Sequence, residues 1–203
     1  MHDDAARLPA HPNLVASPRL VLTRAMESPD HFVRVEFERF KAFENFSLDL
    51  RRFNVLVGPN NAGKSTILAA FRILAAAMRR AESRKAELVQ GPSGPVQGHA
   101  VDLSAISVAE ENLFFNYDDD VPAYVRFTLA SRNVLTLYFP EPRICYLLPD
   151  AQGAFFGTPS AFRKIFRCPI GFVPILGPVE HNEPLFERDA ARRAIFNYLA
   201  ARN

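Results

Sequence analysis

The stretch Phe53-Asn54-Val55-Leu56-Val57-Gly58-Pro59-Asn60-Asn61-Ala62-Gly63-Lys64-Ser65-Thr66 decides how the rest of this chain is read. Its first five residues are a short apolar run rich in β-branched side chains, the signature of a strand buried on both faces. From Gly58 it fits the phosphate-loop spacing of Gly, four residues, then Gly-Lys-Ser. Each fixed position has a chemical reason. Gly58 and Gly63 allow backbone conformations that a side chain would forbid, so that successive N–H groups turn inward around phosphate oxygens. Lys64 can set its ammonium against the β and γ phosphates, and the Ser65 hydroxyl can ligate Mg²⁺. The helix that starts here turns its positive end toward the same place. Gly58, Pro59, Asn60, Asn61, Ala62, Gly63, Lys64, Ser65 and Thr66 are therefore the candidate nucleotide site, with Ser65 the metal ligand.

Working outward, Ile67, Phe71, Leu74 and Met78 recur at helical spacing among alanines, which predicts an apolar-faced helix over 64–80 with a basic end. Upstream, Val33, Val35 and Phe37 alternate with Arg34, Glu36 and Glu38, and Phe46, Leu48 and Leu50 repeat the pattern, predicting a two-stranded hairpin. Downstream, Gly91-Pro92-Ser93-Gly94-Pro95 reads as a break inside a loop over 89–105. Alternation at 123–129 and 135–139 around Ser131-Arg132-Asn133 predicts an antiparallel hairpin. A strand over 143–148, a short helix near 160–166, a strand over 171–176 and a helix from Pro184 onward complete the map. Residues 1–30, with Pro9, Pro12, Pro18 and Pro29, show no sustained period and read as a tail that the core does not require.

Composition narrows the class. The chain has 203 residues, 48% hydrophobic and 23% charged, with a formal net charge of +2, an ordinary globular balance. All basic residues except Lys41, Lys64, Lys85 and Lys164 are arginines, which fits codon bias as readily as phosphate recognition. Cys145 and Cys168 are too few for a disulfide framework and fit a reducing compartment. No secretory signal opens the chain. The richest apolar run, 67–78, contains Arg72 and falls short of the ~20 residues of a membrane span. The expectation is a cytoplasmic protein without a membrane partner.

The residues from Val33 to Leu74, with the Phe40-Lys41-Ala42-Phe43 turn, the strand at 46–50 and the run from Phe53 to Thr66, resemble the N-terminal lobe of the RecF, SMC and OLD group of ABC-type AAA ATPases. The resemblance implies an α/β P-loop NTPase lobe over 31–203 with a flanking antiparallel β layer, binding ATP with Mg²⁺. It implies work on DNA, in repair or phage defence, and dimerisation around nucleotide. Phe172-Val173-Pro174-Ile175-Leu176-Gly177-Pro178-Val179-Glu180 resembles a segment that some members carry before a helix. The group hydrolyses ATP with a strand ending in Asp-Glu, the Walker B motif, and a Ser-Gly-Gly signature from a partner protomer; neither is found in this sequence. The chain thus reads as the front of a longer ATPase, whose partner is its C-terminal half or a second copy, or as a relative that has lost that half. Ile144 to Asp150 imitates the missing strand, but Pro149 interrupts it and Ala151 stands where Glu belongs. Gln90, Gln97 and Gln152 are each conceivable as the γ-phosphate sensor, and Lys41 sits in a turn that approaches nucleotide in similar ATPases.

Weaker features have plainer readings. Asp118-Asp119-Asp120 could attract a hard cation but reads first as a solvated turn. Arg72, Arg79, Arg80, Arg84 and Lys85 could meet DNA phosphates, though a basic helix end accounts for them. His31, His99 and His181 lack partners at zinc spacing. Two other functions stay open: a non-catalytic nucleotide-binding or interaction module, and a small P-loop kinase or GTPase. The last fits worse, because two strands precede the loop and no Asn-Lys-x-Asp motif appears.

Overall fold

A computed structural model describes residues 30–104, 106 and 113–171. The expected tail up to residue 29, the strand reading beyond Gly171 and the helix from Pro184 lie outside these residues. Seven strands form one sheet: β1 (Phe32–Phe40), β2 (Phe43–Asp49), β3 (Glu87–Gly91), β4 (Gly94–Ala100), β5 (Ala123–Leu129), β6 (Val134–Phe139) and β7 (Tyr146–Asp150). Their order is β2-β1-β5-β6-β7-β4-β3, and every pairing is antiparallel. Helix α1 (Lys64–Ser83) covers one face, and the short α2 (Pro159–Ile165) packs against α1.

Alternation explains the sheet. Val35 and Phe37 of β1, Ala123, Val125, Phe127 and Leu129 of β5, and Leu135, Leu137 and Phe139 of β6 are buried on the face that meets α1. At Arg39 the backbone turns left-handed, with φ 53°, and Phe40 rather than Arg39 enters the core. From α1, Ile67, Ala70, Ile73, Leu74, Ala77, Met78 and Ala81 are buried. The small alanines let the helix approach the sheet closely. Thr158 caps α2 by accepting the Ala161 N–H at 3.3 Å, and Pro159 fills its first turn.

Three expectations are corrected. The loop expected over 89–105 is instead the hairpin β3–β4, in which Gly91-Pro92-Ser93-Gly94 forms the turn. Gly98 is needed there because a Cβ would stand 2.8 Å from the Leu147 carbonyl oxygen. The strand expected from Arg143 starts at Tyr146, since Arg143 has φ 67° and the Ile144 N–H donates to Glu141 in a turn. Pro149 does not interrupt β7. It pairs with Leu135 of β6 and lies past the last β4 partner, Leu147, so β7 has a neighbour on one side only at the position without an N–H.

The largest correction falls on residues 53–57. They are not part of any strand, and Phe53, Val55 and Val57 are 82%, 66% and 86% exposed. A side-chain pattern suited to two-sided burial has no strand partner on either side among the described residues, and only Leu56 packs against the core. The α/β expectation is therefore met only in part. The antiparallel layer and the helix after the loop are present, whereas no parallel pairing occurs among the described residues.

Candidate nucleotide-binding loop

Arg51 and Asn54 close the turn that brings the chain out of β2: the Arg51 N–H donates to Asn54 Oδ1 at 3.0 Å, and Asn54 Nδ2 returns a bond to the Arg51 carbonyl at 2.7 Å. The chain then runs through residues 55–57 into the loop. Gly58 and Ala62 close on one another, a Cβ on Gly58 standing 3.2 Å from the Ala62 Cβ, and the Ala62 N–H donates to the Pro59 carbonyl at 3.3 Å. Asn61 and Gly63 are both left-handed, with φ 66° and 82°. That geometry lets the chain pass from the loop into α1 within one residue.

Gly63 is constrained twice. Besides its positive φ, a Cβ there would meet the Phe43 ring at 2.2 Å, so the first residue of β2 lies directly on the last glycine of the loop. The β1–β2 turn is thereby held beside the loop. Lys41 in that turn has φ 51°, donates its N–H to the Leu113 carbonyl at 2.8 Å and is half-buried, and burial lowers its ammonium pKa. The backbone bond and this partial burial hold Lys41 in the turn.

Lys64 Nζ donates to the carbonyls of Gly58 and Pro59 at 2.7 and 2.6 Å. An ammonium has three donors, so one direction remains for a phosphate oxygen while the other two hold the amine over the loop. Gly63 caps α1 without a side chain, and the first turn of α1 carries no acidic residue. The opening N–H groups and the positive helix end are left for an anion. Ser65 is exposed, and Thr66 is buried at 3%. In sequence, no Asp or Glu stands between Asp49 and Glu82. The loop itself thus carries no acidic side chain, and Lys64 is its one side-chain cation. The residues fit a Mg²⁺–triphosphate: the backbone N–H groups and Lys64 would hold the phosphates, and the Ser65 hydroxyl would face the metal.

The other candidates are dispersed. Gln90 and Gln97 lie exposed on β3 and β4. Gln152 sits in the turn after β7, its N–H on Asp150 Oδ1 at 3.1 Å and its Nε2 on the Arg132 carbonyl at 3.3 Å. Arg132 follows Leu129, which pairs with Phe32, so Gln152 stands where β1 begins, whereas Gly63 abuts Phe43 where β2 begins. Asp150 serves that turn by accepting the Gln152 N–H. Asp118 is ion-paired with Arg39, and its Oδ1 accepts the Asp120 N–H at 3.3 Å, so the acidic triplet is built into a turn. Among the described residues no group of three or more His, Cys, Asp or Glu could hold a metal. Arg79, Arg80, Arg84 and Lys85 are exposed at the end of α1. Cys145 and Cys168 are buried free thiols, and burial raises both, Cys168 to about 12. No described helix is long and apolar enough to cross a membrane.

Sequence reasoning had no signal for the seat of Phe43 on Gly63, which joins residues twenty positions apart through tertiary packing. Residues 33–121 match the family model of an AAA ATPase domain, which supports an AAA-type ATPase that binds nucleotide. No curated protein matches the chain.

Proposed function

We propose that the chain binds ATP with Mg²⁺ at Gly58–Thr66 as the nucleotide-binding lobe of an ABC-type ATPase of the RecF, SMC and OLD kind. The observation that carries this reading is the bond pair from Lys64 Nζ to Gly58 and Pro59, above a left-handed Gly63 that opens the α1 N-terminus. Bound Mg²⁺ would neutralise part of the phosphate charge. The chain's own residues do the rest. The loop N–H groups orient the phosphates, Lys64 offsets charge on the β and γ groups, and Phe43 fixes the loop's exit into α1.

The antiparallel layer beside the loop and the match over residues 33–121 support the ABC-type assignment. Work on DNA is the further proposal, for which the exposed Arg79, Arg80, Arg84 and Lys85 are the candidate phosphate contacts. Dimerisation around nucleotide belongs to the same reading. The test is displacement of a fluorescent ATP analogue by ATP and by GTP, with and without Mg²⁺. Mg²⁺-dependent displacement by ATP, weaker by GTP and weakened further in Lys64→Ala, supports the assignment. Displacement that ignores both Mg²⁺ and Lys64 would overturn it.

A further inference from the structure

The outer face of the sheet, away from α1, holds a shallow basin of about 310 Å³ lined among others by Arg34, Glu36 and Glu38 of β1 and by Tyr124 and Arg126 of β5. Register fixes their order. Glu36 stands directly across from Arg126, and Glu38 directly across from Tyr124. The charges there are unevenly satisfied. Arg34 takes Asp49 at 2.7 Å and Glu36 at 3.3 Å. Arg126 is exposed and has no hydrogen bond or ion pair among the described residues, although Glu36 is its cross-strand neighbour. Glu38 is exposed and has none either. Tyr124 is half-buried, its ring stacked on Tyr138 with centroids 5.0 Å apart. Burial first, then Tyr138 and Glu38, raises its pKa, so its hydroxyl stays a hydrogen-bond donor.

Turned over about a twofold axis that runs between β1 and β5 along the strands, the Glu36–Arg126 row falls on itself with its ends exchanged. Each Glu36 then meets Arg126 of the other copy, each Glu38 accepts from the other Tyr124 hydroxyl, and in neither row is a charge set against its like. An axis across the strands at Glu36 would instead set Glu36 against Glu36 and Arg126 against Arg126. We propose that this face docks a second copy of the chain, sheet on sheet, with the twofold axis between β1 and β5. Such an interface is isologous, the same patch serving both partners. Strands related in this way keep the near-aligned packing, within about 30°, that face-to-face sheets adopt. Arg and Tyr are residues that interfaces enrich. A polyanion or an anionic membrane suits this face less, because Glu36, Glu38 and Asp49 would repel it, whereas a surface bearing both signs in this arrangement is matched by a copy of itself. The face lies away from α1, so this pairing is separate from any pairing around nucleotide.

The readouts are taken without nucleotide, so a chain that failed to bind ATP would leave the proposal standing. Sedimentation equilibrium of the full chain at micromolar concentrations should show a monomer–dimer equilibrium. Arg126→Glu sets a carboxylate against Glu36 of the second copy, and Glu36→Arg sets a guanidinium against its Arg126. Each variant alone should therefore have a dimer dissociation constant at least about tenfold higher. An equimolar mixture of the two variants brings opposite charges together at both contacts and should recover a dimer within about threefold of the unaltered chain's dissociation constant. A monomeric unaltered chain, a dimer indifferent to Arg126→Glu, or a mixture that associates no better than its components would overturn the proposal. Should either reversed variant fail to fold by circular dichroism, Arg126→Gln decides. It removes one charge from each contact and should weaken the dimer by at least about threefold; a dissociation constant equal to that of the unaltered chain would contradict the proposal.

Discussion

At the scale of single residues, Gly63 carries more structural demand than its place in a motif conveys. Left-handed backbone costs a residue with a Cβ about 1–2 kcal/mol, and overpacking against a ring adds about 1–3 kcal/mol. Gly63→Ala is expected to lower stability by about 2–5 kcal/mol on the sum of these two terms. Gly63→Ala combined with Phe43→Ala should recover the steric share but not the backbone share, and denaturant unfolding of the four variants measures the coupling. Near-additive losses would show that the ring does not confine the glycine. The importance of Gly63 was legible in sequence, whereas its steric reason was not, because Phe43 lies across a turn that only the fold closes.

His99 offers a second test at this scale. It is 2% exposed, meets Phe162 edge-on, and its Nε2 has no hydrogen-bond partner among the described residues. Burial lowers its pKa below the ordinary value, with Arg80 acting in the same sense and Glu87 opposing. The unfolded chain therefore takes up the proton first as pH falls through about 6.5. The stability associated with neutral His99 is present above that pH and is lost below it. Glu82, whose pKa burial raises, works in the opposite sense, so the comparison must be between variants. His99→Gln should show a smaller loss of stability than the unaltered chain between pH 7.5 and 5.5; parallel pH profiles would contradict this.

At the scale of elements, sequence and structure agree where one face of a strand is buried. The alternation at 33–37, 123–129 and 135–139 predicts hairpins that the sheet contains, and the 3.6-residue period predicts α1, whose end the structure extends to Ser83. Agreement fails where local chemistry is ambiguous. Val89 and Val96 are too few, among Gly91, Pro92, Gly94, Pro95 and Gly98, to announce β3 and β4, whose pairing depends on Leu147 and Tyr146 far along the chain. Residues 53–57 fail in the other direction, because composition reports what a segment needs on both sides and not whether those neighbours are there. The core that α1 makes with the sheet gives a direct measure. Leu74, fully buried, should cost about 2–5 kcal/mol when replaced by Ala. A loss below 1 kcal/mol in chemical denaturation would mean that α1 does not pack on the sheet as described.

At the scale of the whole molecule, one sheet face is buried by α1 while the other is polar. Arg34 there bonds Asp49 at 2.7 Å and Glu36 at 3.3 Å, and Tyr124 stacks on Tyr138 with ring centroids 5.0 Å apart. The exposed ion pairs of Arg34 add little stability. They keep the outer face soluble and leave the chemistry to the loop at one end. On the proposed reading the loop holds nucleotide, and hydrolysis would need further groups to hold Mg²⁺ and orient water, for which the sequence shows no strand ending in Asp-Glu. Loss of one catalytic group commonly costs ~10²–10⁴ in rate. Phosphate release by the purified chain is expected at background level; Lys64-dependent turnover near ~1 s⁻¹ would contradict that.

The central claim is that Gly58–Thr66 holds the phosphates of ATP, and titration calorimetry of ATP with Mg²⁺ into the chain and into Lys64→Ala tests it most directly. Lys64 is the one side-chain cation of the loop, and charge-assisted bonds of this kind are worth ~1.5–3 kcal/mol. The account predicts saturable, Mg²⁺-dependent binding by the unaltered chain and an affinity lower by roughly one to two decades in Lys64→Ala. Equal affinity in the two proteins would contradict it.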